Sequence, residues 1–101
     1  MTTHFLYIDP NTSIEEVNLL FEAHSLSALP VCENNSFIGV LRKEAVDEED
    51  KEATVADYQY ALERFFVPLT ATWDTVIEAF ASYHTDMLPV INENQQFIGY
   101  Y

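Results

Sequence analysis

The feature that most constrains this chain is that it repeats itself. Residues 28–41, ALPVCENNSFIGVL, return as residues 87–101, MLPVINENQQFIGYY. Leu29-Pro30-Val31 recurs at Leu88-Pro89-Val90, an offset of 59. Glu33-Asn34 and Phe37-Ile38-Gly39 recur at Glu93-Asn94 and Phe97-Ile98-Gly99, an offset of 60, so one residue has been added after the second Pro-Val step. Upstream, Val17 and Phe21 match Val76 and Phe80 in the original register. Self-similarity of this kind means two copies of one supersecondary unit, each needing a neighbour to bury its apolar face.

Each copy has the same local grammar. Ile14, Val17, Leu20, Phe21 and His24 fall at helical spacing, and Trp73, Val76, Ile77 and Phe80 repeat the stripe. Ser13 and Glu16 form a capping-box pair at the first helix; Thr72 or Thr70 caps the second, with Asp74 near the positive end of its dipole. A short apolar run opened by Pro30 or Pro89 follows, starting a strand or lying where the missing N–H is not needed, then turn residues (Glu33-Asn34-Asn35-Ser36; Asn92-Glu93-Asn94-Gln95), then a second apolar run holding Gly39 or Gly99. A glycine inside a strand pattern marks a bulge or a close backbone approach. Phe5–Ile8 and Phe65–Leu69 read as lead-in strands, and Thr54 as the cap of a helix from Val55 to about Glu63.

Charge excludes whole classes of partner. Seventeen acidic residues against four basic ones give a formal charge of −13, which repels phosphate backbones and anionic headgroups, so neither nucleic acid nor a membrane surface is an expected partner. Apolar residues at 49 % are too many for a disordered chain. Cys32 is the only cysteine, so no disulfide framework is implied, and the N-terminus lacks the basic start and apolar core of a signal peptide. The expected setting is cytoplasmic. No phosphate loop, nucleophile elbow or HExxH is present, so the chain reads as not an enzyme, with no catalytic residues and no metal site.

Leu29-Pro30-Val31 with Phe37-Ile38-Gly39, and Leu88-Pro89-Val90 with Phe97-Ile98-Gly99, make the chain resemble a tandem cystathionine-β-synthase (CBS) domain pair of the small stand-alone bacterial type. The resemblance implies an α+β fold of two βαββ(α) repeats packed by pseudo-twofold symmetry. The first repeat would be 1–46, an acidic loop and connecting helix 47–64, and the second repeat 65–101. It also implies regulation rather than catalysis, pairing into a homodimer, and an adenosyl ligand such as AMP or S-adenosylmethionine in the cleft between repeats. On that analogy the adenine lies near Ala28, Leu29, Pro30, Met87, Leu88 and Pro89. Ribose is held by an Asp six residues after the glycine of the Phe-Ile-Gly run, and phosphate by a Thr or Ser three residues after it.

The chain departs from that pattern. Three residues after Gly39 stands Arg42, and six after it Ala45; the second repeat stops two residues after Gly99, and so is expected to be C-terminally short and to lack its closing helix. Two functions follow as expectations: a regulatory module sensing an adenosyl ligand, or a ligand-free dimerisation and protein-interaction module. Arg42 either meets a ligand phosphate or pairs with a nearby carboxylate, the second being favoured because charged residues are mostly solvated. Cys32 reads as a buried strand residue, the Asp47–Asp50 run as a solvated connector, and Tyr58, Tyr60, Phe65, Phe66 and Trp73 as core or dimer packing.

Overall fold

A computed structural model describes residues 6–101. The first unit runs α1 (Ile14–His24), β1 (Ala28–Glu33) and β2 (Ser36–Arg42). A 3₁₀ turn at Lys43–Ala45 follows, then a 3₁₀ segment at Val55–Ala61. The second unit runs β3 (Val67–Pro68), α2 (Trp73–Tyr83), β4 (Pro89–Ile91) and β5 (Phe97–Tyr100).

The helices start and stop where their caps dictate. The Ser13 hydroxyl accepts from the Glu16 N–H at 3.2 Å, and the Thr72 hydroxyl accepts from the Thr75 N–H at 3.3 Å, which settles the choice between Thr70 and Thr72. Both helices end on a left-handed residue, Ser25 (φ 53°) and His84 (φ 49°), again 59 positions apart.

The two hairpins share one register. Pro30 faces Val40 and Val31 faces Gly39; Pro89 faces Tyr100 and Val90 faces Gly99. A bulge then falls between Val31 and Cys32 in one and between Val90 and Ile91 in the other. The strands of the second hairpin are shorter, and the turns differ. Asn34 (φ 51°) and Asn35 (φ 68°) form a two-residue turn with both central residues left-handed, a conformation asparagine tolerates. The second hairpin has a longer turn, in which Gln95 (φ 64°) donates its N–H to Asn92 and the Asn92 side chain accepts from Asn94 and Gln96. This longer turn is where the extra residue went.

Equivalent residues meet across the two units, as a pseudo-twofold axis requires. Ser27 donates to Asp86 at 2.8 Å, two positions related by the repeat. Tyr7 meets Phe97 edge-on at 6.3 Å, and the related pair, Phe66 and Phe37, does the same at 6.0 Å. The β1–β2 hairpin is buried on both faces. Leu29, Val31 and Leu41 pack with Ile14, Val17 and Phe21, whereas Ala28, Cys32, Phe37 and Val40 pack with Val67, Met87 and Val90 of the second unit. A strand covered on both sides reads as a continuous apolar run, which is what Ala28–Cys32 is. Gly39 answers to a close approach: a Cβ there would sit 3.1 Å from the Leu62 Cβ and 3.4 Å from the Glu63 carbonyl.

Four expectations need correcting. The segment after Thr54 is a kinked 3₁₀ helix ending at Ala61, not an α-helix to Glu63, because backbone bonds to Thr12 and Pro10 tie down its first turn. The first lead-in strand reduces to a single parallel bridge from Ile8 to Val31, Phe5 lying outside the described residues, and the second reduces to Val67–Pro68. His24 is exposed rather than closing the apolar face of α1. The stripe of α2 is likewise only partly buried: Val76 and Ala79 point inward, but Trp73 and Ile77 are 63 % and 52 % exposed. In the first unit Val46, Val55 and Tyr58 cover the matching face.

Candidate functional site

Where β2 of the first unit runs past the end of α2 of the second, a cleft of about 720 Å³ opens. Ser27, Arg42 and Lys43 form one wall, with Glu44 and Val46 beside them, His84 closes the second-unit side, and Asp47, Glu48 and Glu49 form the rim. The first wall is held by pairing at the base of the hairpin: Ala28 faces Arg42, and the Lys43 N–H donates to the Ser27 carbonyl at 2.8 Å. His84 is fixed by the left-handed turn that ends α2.

Arg42 is the residue that ties the two units together here. Its Nε donates to Glu63 Oε2, its Nη1 to the His84 carbonyl at 3.0 Å, and its Nη2 to the Tyr83 carbonyl at 2.6 Å. Its guanidinium carbon lies 5.1 Å from the centre of the Phe65 ring. The two carbonyls are the ones a helix leaves unpaired at its C-terminus, where a cation is favoured. The carboxylate partner expected for Arg42 is therefore Glu63, and the helix-end contact is an addition that sequence spacing gave no means to find.

The other residues expected at the site lie elsewhere. Ala28, Leu29, Pro30, Met87, Leu88 and Pro89 are all buried, and none of them lines the cleft. Ala28 and Met87 follow directly after Ser27 and Asp86, the pair that meets across the two units. Ser27, Lys43 and His84 were missed. Ser27 and Lys43 adjoin predicted positions, but nothing local marks His84, which arrives from the other repeat.

Two further groups were singled out from the sequence. Cys32 is buried as expected, and burial pushes its thiol up to about 11. Tyr58 is buried as well; its hydroxyl donates to Asp50 at 3.1 Å and accepts from the Asp47 N–H at 3.3 Å, anchoring the acidic run. Among the described residues no helix is long and apolar enough to cross a membrane.

Comparison with known proteins agrees with this architecture. The CBS domain profile matches residues 1–51. Among solved structures, a CBS domain pair/ACT domain protein from Thermotoga maritima superposes with a TM-score of 0.84 at 20 % identity, covering 98 % of this chain and 82 % of that one. The CBS domains of a transcriptional regulator from Streptococcus pneumoniae give 0.82 at 18 % identity, over 99 % and 85 %. The CBS domain of a bacterial CNNM/CorC family Mg2+ transporter, solved in complex with ATP, gives 0.74 at 20 % identity, over 100 % and 75 %. At these identities the likeness speaks for the fold. With the profile match over half the sequence and two units sharing register, bulge and caps, this chain belongs to the CBS domain family.

Proposed function

We propose that this chain is a regulatory CBS-pair module that senses an adenosyl ligand in the cleft at Ser27, Arg42, Lys43 and His84. The units are residues 1–46 and 65–101, joined through 47–64. The observation that carries the reading is that the cleft is walled by both repeats. A ligand touching both walls binds one relative arrangement of the units better than others, and that difference is what a sensor needs. The ATP bound to the transporter relative supports an adenosine-containing ligand. Ala28 and Met87, one residue behind the wall, supply apolar backing. The role is regulatory, not catalytic.

The test is thermal shift of the purified chain against adenosine, methylthioadenosine, S-adenosylmethionine, AMP, ADP and ATP. Ligand at about 100 times its Kd stabilises by about 2.7 kcal/mol, a shift of roughly ten degrees or more for a domain of this size. No shift with any of the six at millimolar concentration refutes the sensing role.

A second observation favours association with another copy. Leu69, Trp73 and Ile77 leave large side chains between 52 % and 63 % exposed on α2 and the turn before it. A homodimer through this face predicts that Trp73→Glu and Ile77→Glu shift sedimentation toward monomer; a wild-type chain that is monomeric at ~100 μM removes this reading.

A further inference from the structure

The geometry points to the Arg42–Glu63 pair as the element that sets the charge of the ligand admitted to the cleft: a nucleoside without phosphate enters, and its phosphorylated form is refused. This rests on the cleft being a nucleoside site. An arginine recognises phosphate through uncompensated charge and two free N–H groups on one edge of its plane. Arg42 lacks the first condition and has little left of the second. Glu63 pairs with its charge, and three of its five N–H groups, one on each nitrogen, already donate, to Glu63, His84 and Tyr83.

A phosphate would have to compete with Glu63 for the guanidinium charge, and turning Arg42 toward it would weaken the bonds to the two helix-end carbonyls. Lys43 is then the one uncommitted cation on the wall, and it shares the lining with Glu44, Asp47, Glu48 and Glu49. The position that the family resemblance gives to phosphate recognition is here filled by a group already paired within the protein. Glu63 does not line the cleft, so it acts through Arg42 as a positioning residue.

The experiment compares adenosine with AMP, which differ only in the phosphate, on the wild-type chain and on Glu63→Gln, by calorimetry at low salt. The wild-type chain should bind adenosine at least about tenfold more tightly than AMP, and Glu63→Gln should move that ratio about tenfold or more toward AMP by leaving Arg42 uncompensated. Glu63→Ser serves the same comparison if the Gln variant fails to fold. In the double variant Arg42→Met/Glu63→Gln the gain should vanish. A wild-type preference for AMP, or a ratio that Glu63→Gln leaves unmoved, overturns the inference. If neither adenosine nor AMP binds the wild-type chain, inorganic pyrophosphate decides the charge gate alone, and the sensing role is judged separately by the six-ligand thermal shift. Tighter pyrophosphate binding by Glu63→Gln than by wild type upholds the gate, and equal binding overturns it.

Discussion

Leu29 and Leu88 occupy equivalent positions in the two repeats, and each is 0 % exposed. They sit in different clusters, Leu29 with α1 and the connector, Leu88 in the core shared by both units. Leu→Ala removes three buried carbons, about 2.4 kcal/mol by transfer at ~0.8 kcal/mol each, and the residual cavity raises the cost to about 3 kcal/mol or more. A domain of this length has about 5–15 kcal/mol in total, so either substitution removes a large fraction. The melting temperature should fall by roughly 12–24 °C.

Trp73, the only tryptophan, lies in the second unit and reports on it by fluorescence. Because β1–β2 is buried against the second unit as well as against α1, Leu29→Ala should lower the urea midpoint seen by Trp73 as much as that seen by far-UV circular dichroism. The slope of the transition should be unchanged. Leu19→Ala, at a position 60 % exposed, is the control and should stay within about 0.5 kcal/mol of wild type. A Trp73 midpoint that Leu29→Ala leaves in place, or two separate transitions in the wild-type chain, would refute the reasoning that the repeats form one cooperative unit.

Other outcomes follow from single contacts. Gly39→Ala places a methyl against Leu62 and the Glu63 carbonyl and should cost about 1–3 kcal/mol in a denaturant titration; a neutral result means the connector does not press on β2 there. For Cys32, the folded thiol titrates near 11 against an ordinary 9.0, so the native state holds its proton more tightly than the unfolded chain. Its stabilising contribution is complete below about pH 9 and declines as pH rises toward 11. Cys32→Ala should flatten that part of a urea-midpoint series; a slope that survives the substitution assigns it to other groups.

Much of this fold was legible because the repeat carries local rules twice. Ser13 and Thr72 announce helix starts, Asn34-Asn35 announces a tight turn, and the one-residue offset turned out to be a longer turn built on Asn92. What local rules do not carry is which elements lie against which. Trp73 and Ile14 occupy the same position in the stripe, yet Ile14 is covered by Val55 and Tyr58 whereas Trp73 is exposed. Arg42 was readable as a strand-end cation seeking a carboxylate; that it also closes the end of α2 depends on a contact between the repeats, 41 and 42 residues away along the chain. The 3₁₀ winding of 55–61 likewise follows from bonds back to Pro10 and Thr12, far upstream in sequence.

The central claim is that a small molecule bridges the two repeats beside Arg42, and amide resonances of ¹⁵N-labelled protein titrated with adenosine test it most directly. Saturable shifts should appear together at Ser27, Lys43 and His84, from both walls at one Kd, with the surface of α1 around Glu22 and Ala23 unmoved. Shifts confined to one repeat, or spread without saturation over the acidic surface, would contradict a bridging site.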